Sequence, residues 1–298
     1  EATILNSRIR KTYLKNKTEI FSLEDVGDLT YPYTVLENDT KIINQIIKNE
    51  HDLSNKINSA EKPLIILGQS ILNSNNGAYV FEELKSYLTS INKIDNNWNS
   101  LNILATDASA VGSYDLGIFS SNNGSNKTLK KIEDNEAEIV FLFGQDKLKS
   151  KKNNEFIIYV GSHGDLGAGM ADLILPGAAY TEQDGYFTNL EGTLQKAYKA
   201  SYPPGEAKED WQIINELSAA ISGKALFDNK TVLIKSMHDY LNNETIKNFE
   251  VPSYNLGDEK ILVEDIDYYY SNTIARASKT MSECRYARTN LKKTGTEG

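Results

Sequence analysis

Cysteine is almost missing from this chain: Cys284 is the only one in 298 residues. A single thiol closes no disulfide framework, and an iron–sulfur cluster needs about four thiolates. The reducing side of a membrane suits such a composition. Histidine is scarce too, and His51, His163 and His238 stand far apart. With no H-E-x-x-H and no paired cysteines, neither a zinc site nor any other metal site is expected. Long apolar runs are also absent. The longest are of the size of Ile139 to Phe143, far short of the ~18 to 20 residues that a membrane-spanning helix needs. Direct membrane insertion is therefore not expected, and the chain reads as soluble or peripheral. No signal peptide or basic amphipathic presequence is visible. Because the first residue is Glu1, the chain is expected to be processed, trimmed or the second part of something longer. Positive charge is in deficit, with 32 Lys and Arg against 41 Asp and Glu, a net charge of -9 and a pI near 5.0. Such a chain repels phosphate, so nucleic acid is excluded as a non-specific partner, and an anionic bilayer surface repels it as well.

What is present is enough for a folded core. The residues are 40% hydrophobic and 24% charged, an ordinary globular balance. The length accommodates one large α/β domain or two small ones. Pro63 to Gly68 is a continuous apolar run ended by glycine, the pattern of a strand buried on both faces. Gly77 to Ile91 follows with Phe81, Leu84, Tyr87, Leu88 and Ile91 on one helical face. Leu101 to Leu104, Ile139 to Phe143, Phe156 to Val160 and Leu173 to Leu175 are further strands. Asp210 opens a helix that Gly223 ends, and Thr231 to Leu241 is another. Thr40 to Ala60 has a helical pattern through Ile43, Ile46, Ile47 and Ile57. Asn- and Lys-rich stretches at 121–131 and 147–154 read as solvated loops.

Strands alternating with helices predict an α/β fold with a doubly wound, mostly parallel sheet holding 64–67, 139–143 and 156–160. The expected division is an N-terminal docking segment at 1–61, an α/β core at 62–222 and a C-terminal helical tail at 223–298. Both ends carry apolar and aromatic residues (Ile9, Tyr13, Tyr31, Tyr33, Tyr268, Tyr269, Tyr270) without a core of their own. They are expected to be ordered by contact with partner chains and with the central sheet.

The stretch Gly161-Ser162-His163-Gly164-Asp165-Leu166-Gly167-Ala168-Gly169 follows a strand end, where ligands of open α/β sheets sit. Its glycines either let backbone N–H groups approach a phosphate or simply build a tight turn. His163 is either a general base or ligand, or a histidine hydrogen-bonded within that turn. Further on, Glu182, Asp184 and Glu191 suggest paired carboxylates, or a polar loop whose carboxylates cap backbone amides. No nucleophile with a suitable elbow accompanies any of these, so no catalytic residue is assigned. Tyr268 to Tyr270 is either a partner anchor or ordinary aromatic packing. Arg8, Arg10 and Lys11 either meet a partner's carboxylates or are solvated.

Several of these stretches carry a resemblance. Ala171-Asp172-Leu173-Ile174-Leu175-Pro176-Gly177-Ala178-Ala179-Tyr180-Thr181-Glu182, then Asp184 to Gly192, then Pro203 to Trp211, resemble segments of the molybdopterin oxidoreductase family. Within it the chain is most similar to the large iron–sulfur subunits of respiratory complex I, which occur in bacteria and in mitochondria. Asn6 to Lys11, Val160 to Ala168 and Ser271 to Met281 look like their mitochondrial form. The resemblance implies the family's α/β fold and only the C-terminal half of such a protein. The iron–sulfur N-terminal half, with its many cysteines, would be a partner on a separate chain, beside other subunits of the peripheral arm. It further implies the matrix side of the mitochondrial inner membrane. The implied role is non-catalytic bracing of NADH-to-quinone electron transfer. Gly161, His163, Gly164, Asp165, Gly167, Glu182, Asp184, Gly185, Glu191 and Gly192 would be vestigial pterin-loop positions. Thr193 stands where the family usually has Arg, which removes a phosphate partner, so no cofactor is expected. The alternative implied is a fragment that binds a guanine dinucleotide pterin; a free-standing nucleotide-binding enzyme is a third reading.

Overall fold

A computed structural model describes residues 2–72, 74–117, 130–146, 154–243, 251, 253–254, 256–257, 260–261 and 267–290. Residues 121–129 and 147–153 of the loops expected at 121–131 and 147–154, and the acidic start of the tyrosine tail at 264–266, lie outside these, while Lys130 and Lys131 are helical. The chain divides into two compact units, one formed by 1–107 with 247–265 and the other by 108–246 with 266–298.

The first unit holds α1 (Thr3–Asn16), β1 (Phe21–Ser22), β2 (Thr34–Val35), α2 (Thr40–Ile47), α3 (Asp52–Ser59), β3 (Ile65–Gly68), α4 (Gln69–Leu72), α5 (Gly77–Ser90) and β4 (Leu101–Leu104). Asp39 caps α2 by accepting from the Ile42 amide at 3.2 Å, and Asn49 breaks the helical run at φ 59. His51 restarts it by accepting from the Leu53 amide at 3.1 Å. Ile42, Ile43 and Ile46 from α2 and Ile57 from α3 then join Val80, Leu84 and Leu88 of α5 and Leu67 of β3 in one buried core. The segment 1–61, expected as a docking segment without a core, thus supplies through its isoleucines part of the core that α5 buries.

The second unit holds α6 (Ala110–Asp115), β5 (Ile139–Phe143), β6 (Phe156–Gly161), α7 (Leu166–Met170), β7 (Leu173–Pro176), the hairpin β8 (Gly185–Thr188) and β9 (Leu194–Ala197), then α8 (Asp210–Ser222) and α9 (Lys230–Asn243). A 3-10 turn at Tyr268–Tyr270, α10 (Thr273–Ala277) and α11 (Lys279–Asn290) complete it. β5, β6 and β7 run parallel in that order, with Leu142 beside Tyr159 and Tyr159 beside Ile174. Val140, Leu142, Ile157, Tyr159 and Ile132 form its buried cluster, against which Ala168 and Met170 of α7 pack.

The mixed α/β architecture with parallel sheets is as expected. Three points differ. The strand at 64–67 does not share a sheet with 139–143 but pairs in parallel with Leu101–Leu104. The stretch holding Glu182, Asp184 and Glu191, for which a polar loop is one reading, runs into the antiparallel hairpin of β8 and β9. Its turn is tied by Asn189, whose side chain accepts from the amides of Glu191 and Thr193, both at 2.9 Å. Lastly, the expected divisions at 61 and 222 are not those of the structure: 223–246 and 266–298 belong to the second unit and 247–265 to the first. The C-terminal helices return to the glycine loop through Arg276.

Candidate functional site at the strand ends

β5 and β6 end at Phe143 and Gly161, and a cleft of about 220 Å³ opens beyond these carboxyl ends, lined among others by Ser162, Tyr180, Asp210, Asn272 and Thr273. This is where a parallel sheet offers a ligand crevice.

The glycine loop has a packing explanation. Tyr159 is 2% exposed, and the loop wraps its ring. A Cβ on Gly167 would lie 2.4 Å from the Gln145 carbonyl oxygen and 3.0 Å from the Tyr159 ring. On Gly161 it would lie 2.7 Å from the Tyr159 hydroxyl, and on Gly164 it would lie 3.1 Å from the Ala168 Cβ. The Tyr159 hydroxyl donates to Asp146 Oδ2 at 2.9 Å and has the His163 carbonyl at 2.8 Å. Burial, then the hydrogen bond and charge of Asp146, push its pKa well above the ordinary tyrosine value. Asp146 also accepts from the Gly167 amide at 3.1 Å. From α10, Arg276 donates through Nε to Asp165, reaches Asp146 Oδ2 at 3.9 Å through Nη2, and donates to the Tyr270 carbonyl at 3.3 Å through Nη1. Asp146, Tyr159, Asp165 and Arg276 thus form one network between the sheet, the loop and the C-terminal helices.

The other anticipated positions fall elsewhere. His163 pairs its Nδ1 with the Ser162 hydroxyl at 3.1 Å, a hydrogen bond within the turn. Glu182 accepts from the Ala179 amide at 2.9 Å. Asp184 accepts from the Lys199 amide at 2.9 Å and pairs with Lys230 at 3.6 Å. The hydrogen bond from the Lys199 backbone N–H, helped by the charge of Lys230, holds its carboxyl below the usual range. Both carboxylates thus cap backbone amides. Glu191 and Gly192, at φ 77, belong to the hairpin turn, and Gly185 lies against the Phe187 ring. Sequence reasoning passed over Asp146, Tyr159, Asp210 and Arg276. Asp146, two residues after the glycine that ends β5, carried a positional signal; the pairing of Arg276 with residues 111 and more positions away carried none.

The family model for molybdopterin oxidoreductases matches residues 1–220 of the sequence. The chain belongs to the molybdopterin oxidoreductase family. Three relatives bear complex I names. The NADH-ubiquinone oxidoreductase 75 kDa subunit of Reclinomonas americana is 36% identical over 297 residues, which are 95% of this chain and 42% of that protein. A bacterial NADH-quinone oxidoreductase subunit, from Rickettsia bellii, is 34% identical, covering 99% of this chain and 43% of its own length. The mitochondrial NADH-ubiquinone oxidoreductase 78 kDa subunit of Candida albicans is 32% identical, covering 95% and 41%. The chain thus spans roughly two fifths of the relatives it matches.

The family name points to molybdopterin, a phosphate-bearing cofactor. Phosphates need free N–H donors and cations. Here the Gly167 amide is held by Asp146, and the Gly169 and Gly177 amides by the carbonyls of Asp165 and Gly161 at 2.9 and 3.1 Å. Arg276 is held by Asp165 and Asp146. The side chain of Asp210 adds a carboxyl to the cleft, its pKa raised by burial. A crevice of about 220 Å³ is also smaller than the roughly 300 Å³ at which small-molecule sites begin. These amides and Arg276, among the described residues, do not fit the group. Among the described residues, no group of three or more His, Cys, Asp or Glu is placed to hold a metal, and no helix is long and apolar enough to cross a membrane.

Proposed function

We propose that this chain is a non-catalytic structural part of the peripheral arm of respiratory complex I. It braces the cluster-bearing part of the large iron–sulfur subunit and so keeps the path from NADH to quinone in register. The observation that carries the reading is the internal use of the glycine loop. Its amides, Asp165 and Arg276 satisfy one another around Tyr159, in a chain whose relatives are named as complex I subunits. A loop whose donors and charges are engaged by its own contacts supplies shape and rigidity rather than chemistry. The chain holds no cofactor of its own. Its partners are a cysteine-rich chain matching the remainder of the relatives, together with other peripheral-arm subunits. Its place is the matrix side of the mitochondrial inner membrane, without insertion.

The test is purification from mitochondria through a tag on this chain, with metal analysis of the product. The expected outcome is co-purification with a membrane complex that oxidises NADH, iron confined to other chains, and no molybdenum or tungsten. Stoichiometric molybdenum bound to this chain would instead support a cofactor-binding oxidoreductase fragment.

A further inference from the structure

α1 and β1 look like the last two parts of a βαβ unit. β1 pairs in parallel with β2, Phe21 beside Thr34 and Ser22 beside Val35. The amides of Thr34 and Leu36 donate to the carbonyls of Ile20 and Ser22 at 2.9 and 2.7 Å. Backbone groups alternate along a strand and a trans peptide sets each N–H opposite the preceding C=O, so the N–H and C=O of Phe21 and the N–H of Leu23 point to the opposite edge. Among the described residues no strand pairs there.

A pair of two-residue parallel strands is far too little sheet to persist in water, and parallel strands occur in sheets covered on both faces. α1 leads into β1 through four residues, turning at Lys17 with φ 53. A helix delivered straight into a parallel strand has the geometry of a crossover's return limb, and the first strand of such a crossover lies in the same sheet. α1 buries no residue fully. Leu5, Ile9 and Tyr13 make a half-buried stripe along one face, while Ile4 and Leu14 are 79% and 56% exposed. The helix has the apolar surface of a crossover helix with too little sheet beneath it.

We infer that the free edge of β1 receives a parallel, apolar strand from the part of the subunit that this chain does not span, and that α1 closes over that strand. The inference rests on the reading of the chain as part of a larger complex I subunit. The relatives supply the occupant, since more than half of each lies outside the matched region. Main-chain pairing gives such strand addition its affinity, and the apolar cover gives it register.

Two measurements test it. Hydrogen–deuterium exchange is followed at Phe21 and Leu23 in the isolated full chain and in the assembled complex. Protection of about a hundredfold on assembly is expected, since both amides enter a buried ladder. Separately, tagged Phe21→Pro and Phe21→Ala chains are compared for incorporation by native gel. Proline removes the outward N–H and leaves the ladder to β2 intact. Its incorporation should fall about tenfold below that of the alanine variant, the loss of one ladder bond, with equal melting of the two isolated chains. Three results overturn the inference: equally fast exchange of both amides in the two states, equal incorporation of the two variants, or an isolated chain that dimerises through this edge. Normal assembly with an unprotected edge sinks the strand addition alone, whereas a chain found in no larger assembly sinks the reading beneath it.

Discussion

Replacing Gly167 with alanine separates the two explanations of the glycine loop. The new Cβ meets the Gln145 carbonyl oxygen at 2.4 Å and the Tyr159 ring at 3.0 Å. The first is backbone that cannot rotate away, and the second belongs to a side chain 2% exposed. Relief requires shifting α7 from β6, which puts the overpacking cost near the top of its usual range, about 3 kcal/mol. Alanine in a helix returns up to about 1 kcal/mol, leaving a net loss of about 2 kcal/mol. For a unit of this size that lowers the melting temperature by about 4 to 8 °C. Gly169 is the control, because nothing lies within 4 Å of its would-be Cβ. Gly169→Ala should keep the melting temperature or raise it by a few degrees, about 2 to 4 °C. The assay is thermal melting of the full chain by circular dichroism, with urea unfolding followed by fluorescence. Trp211 reports on the second unit and Trp98 on the first. A Gly167→Ala protein within about 0.5 kcal/mol of the parent, or one more stable than Gly169→Ala, refutes the packing account.

Other consequences follow from the charged groups. Arg276→Gln removes the cation facing Asp146, which is 3% exposed; unfolding should become easier by about 2 kcal/mol, and limited proteolysis should cut 267–290 sooner. Glu209 is desolvated by burial, but hydrogen bonds from Lys230 and Trp211 outweigh this and hold its carboxyl below the usual value. Its contribution is therefore present above the unfolded carboxylate pKa of about 4.3 and is lost as pH falls through the lower folded value. Urea midpoints of Glu209→Gln and the parent should differ at pH 7 and converge in acid; a gap that widens on acidification contradicts this. Asp210 is the opposite case, its pKa raised first by burial and, secondarily, by Glu209, against the hydrogen bond from Gln183. Its folded form binds protons more tightly, so it lowers stability as pH rises through the unfolded value of about 3.9 and on to the folded one. Asp210→Asn should gain stability relative to the parent at pH 7 and lose that gain near pH 3, read from the same urea titrations.

Much of the fold is legible in the chain itself. Continuous apolar runs at 63–68, 139–143 and 156–160 mark parallel strands, but β5 is buried on one face only, through Val140 and Leu142, while Ile139, Phe141 and Phe143 are exposed. The helix at 210–222 announces its end through Gly223, which sits at φ 73. α1 was not legible. Its apolar Leu5, Ile9 and Tyr13 mark only one narrow stripe, with Arg8, Arg10 and Lys11 between them. The hairpin at 185–197 was hidden because Gly185 and the polar turn read as loop chemistry, while the cross-strand register that makes it a hairpin lies between residues up to 12 apart.

The candidate site divides along the same line. Sequence alone determined that glycines would crowd the end of β6, since backbone sterics act over a few residues; it left Glu182 and Asp184 open between paired carboxylates and amide caps, and the structure makes them caps, Asp184 on an amide 15 residues away. Sequence also determined the family, through runs of residues that keep their order. Only the tertiary structure decided why those glycines are glycines. Tyr159 is enclosed by the loop that follows it, and Asp146 reaches it across the neighbouring strand. Arg276 arrives from 111 residues beyond Asp165. Burial of a tyrosine ring and the pairing of distant charges are properties of the folded chain's three-dimensional neighbours, and linear spacing does not encode them.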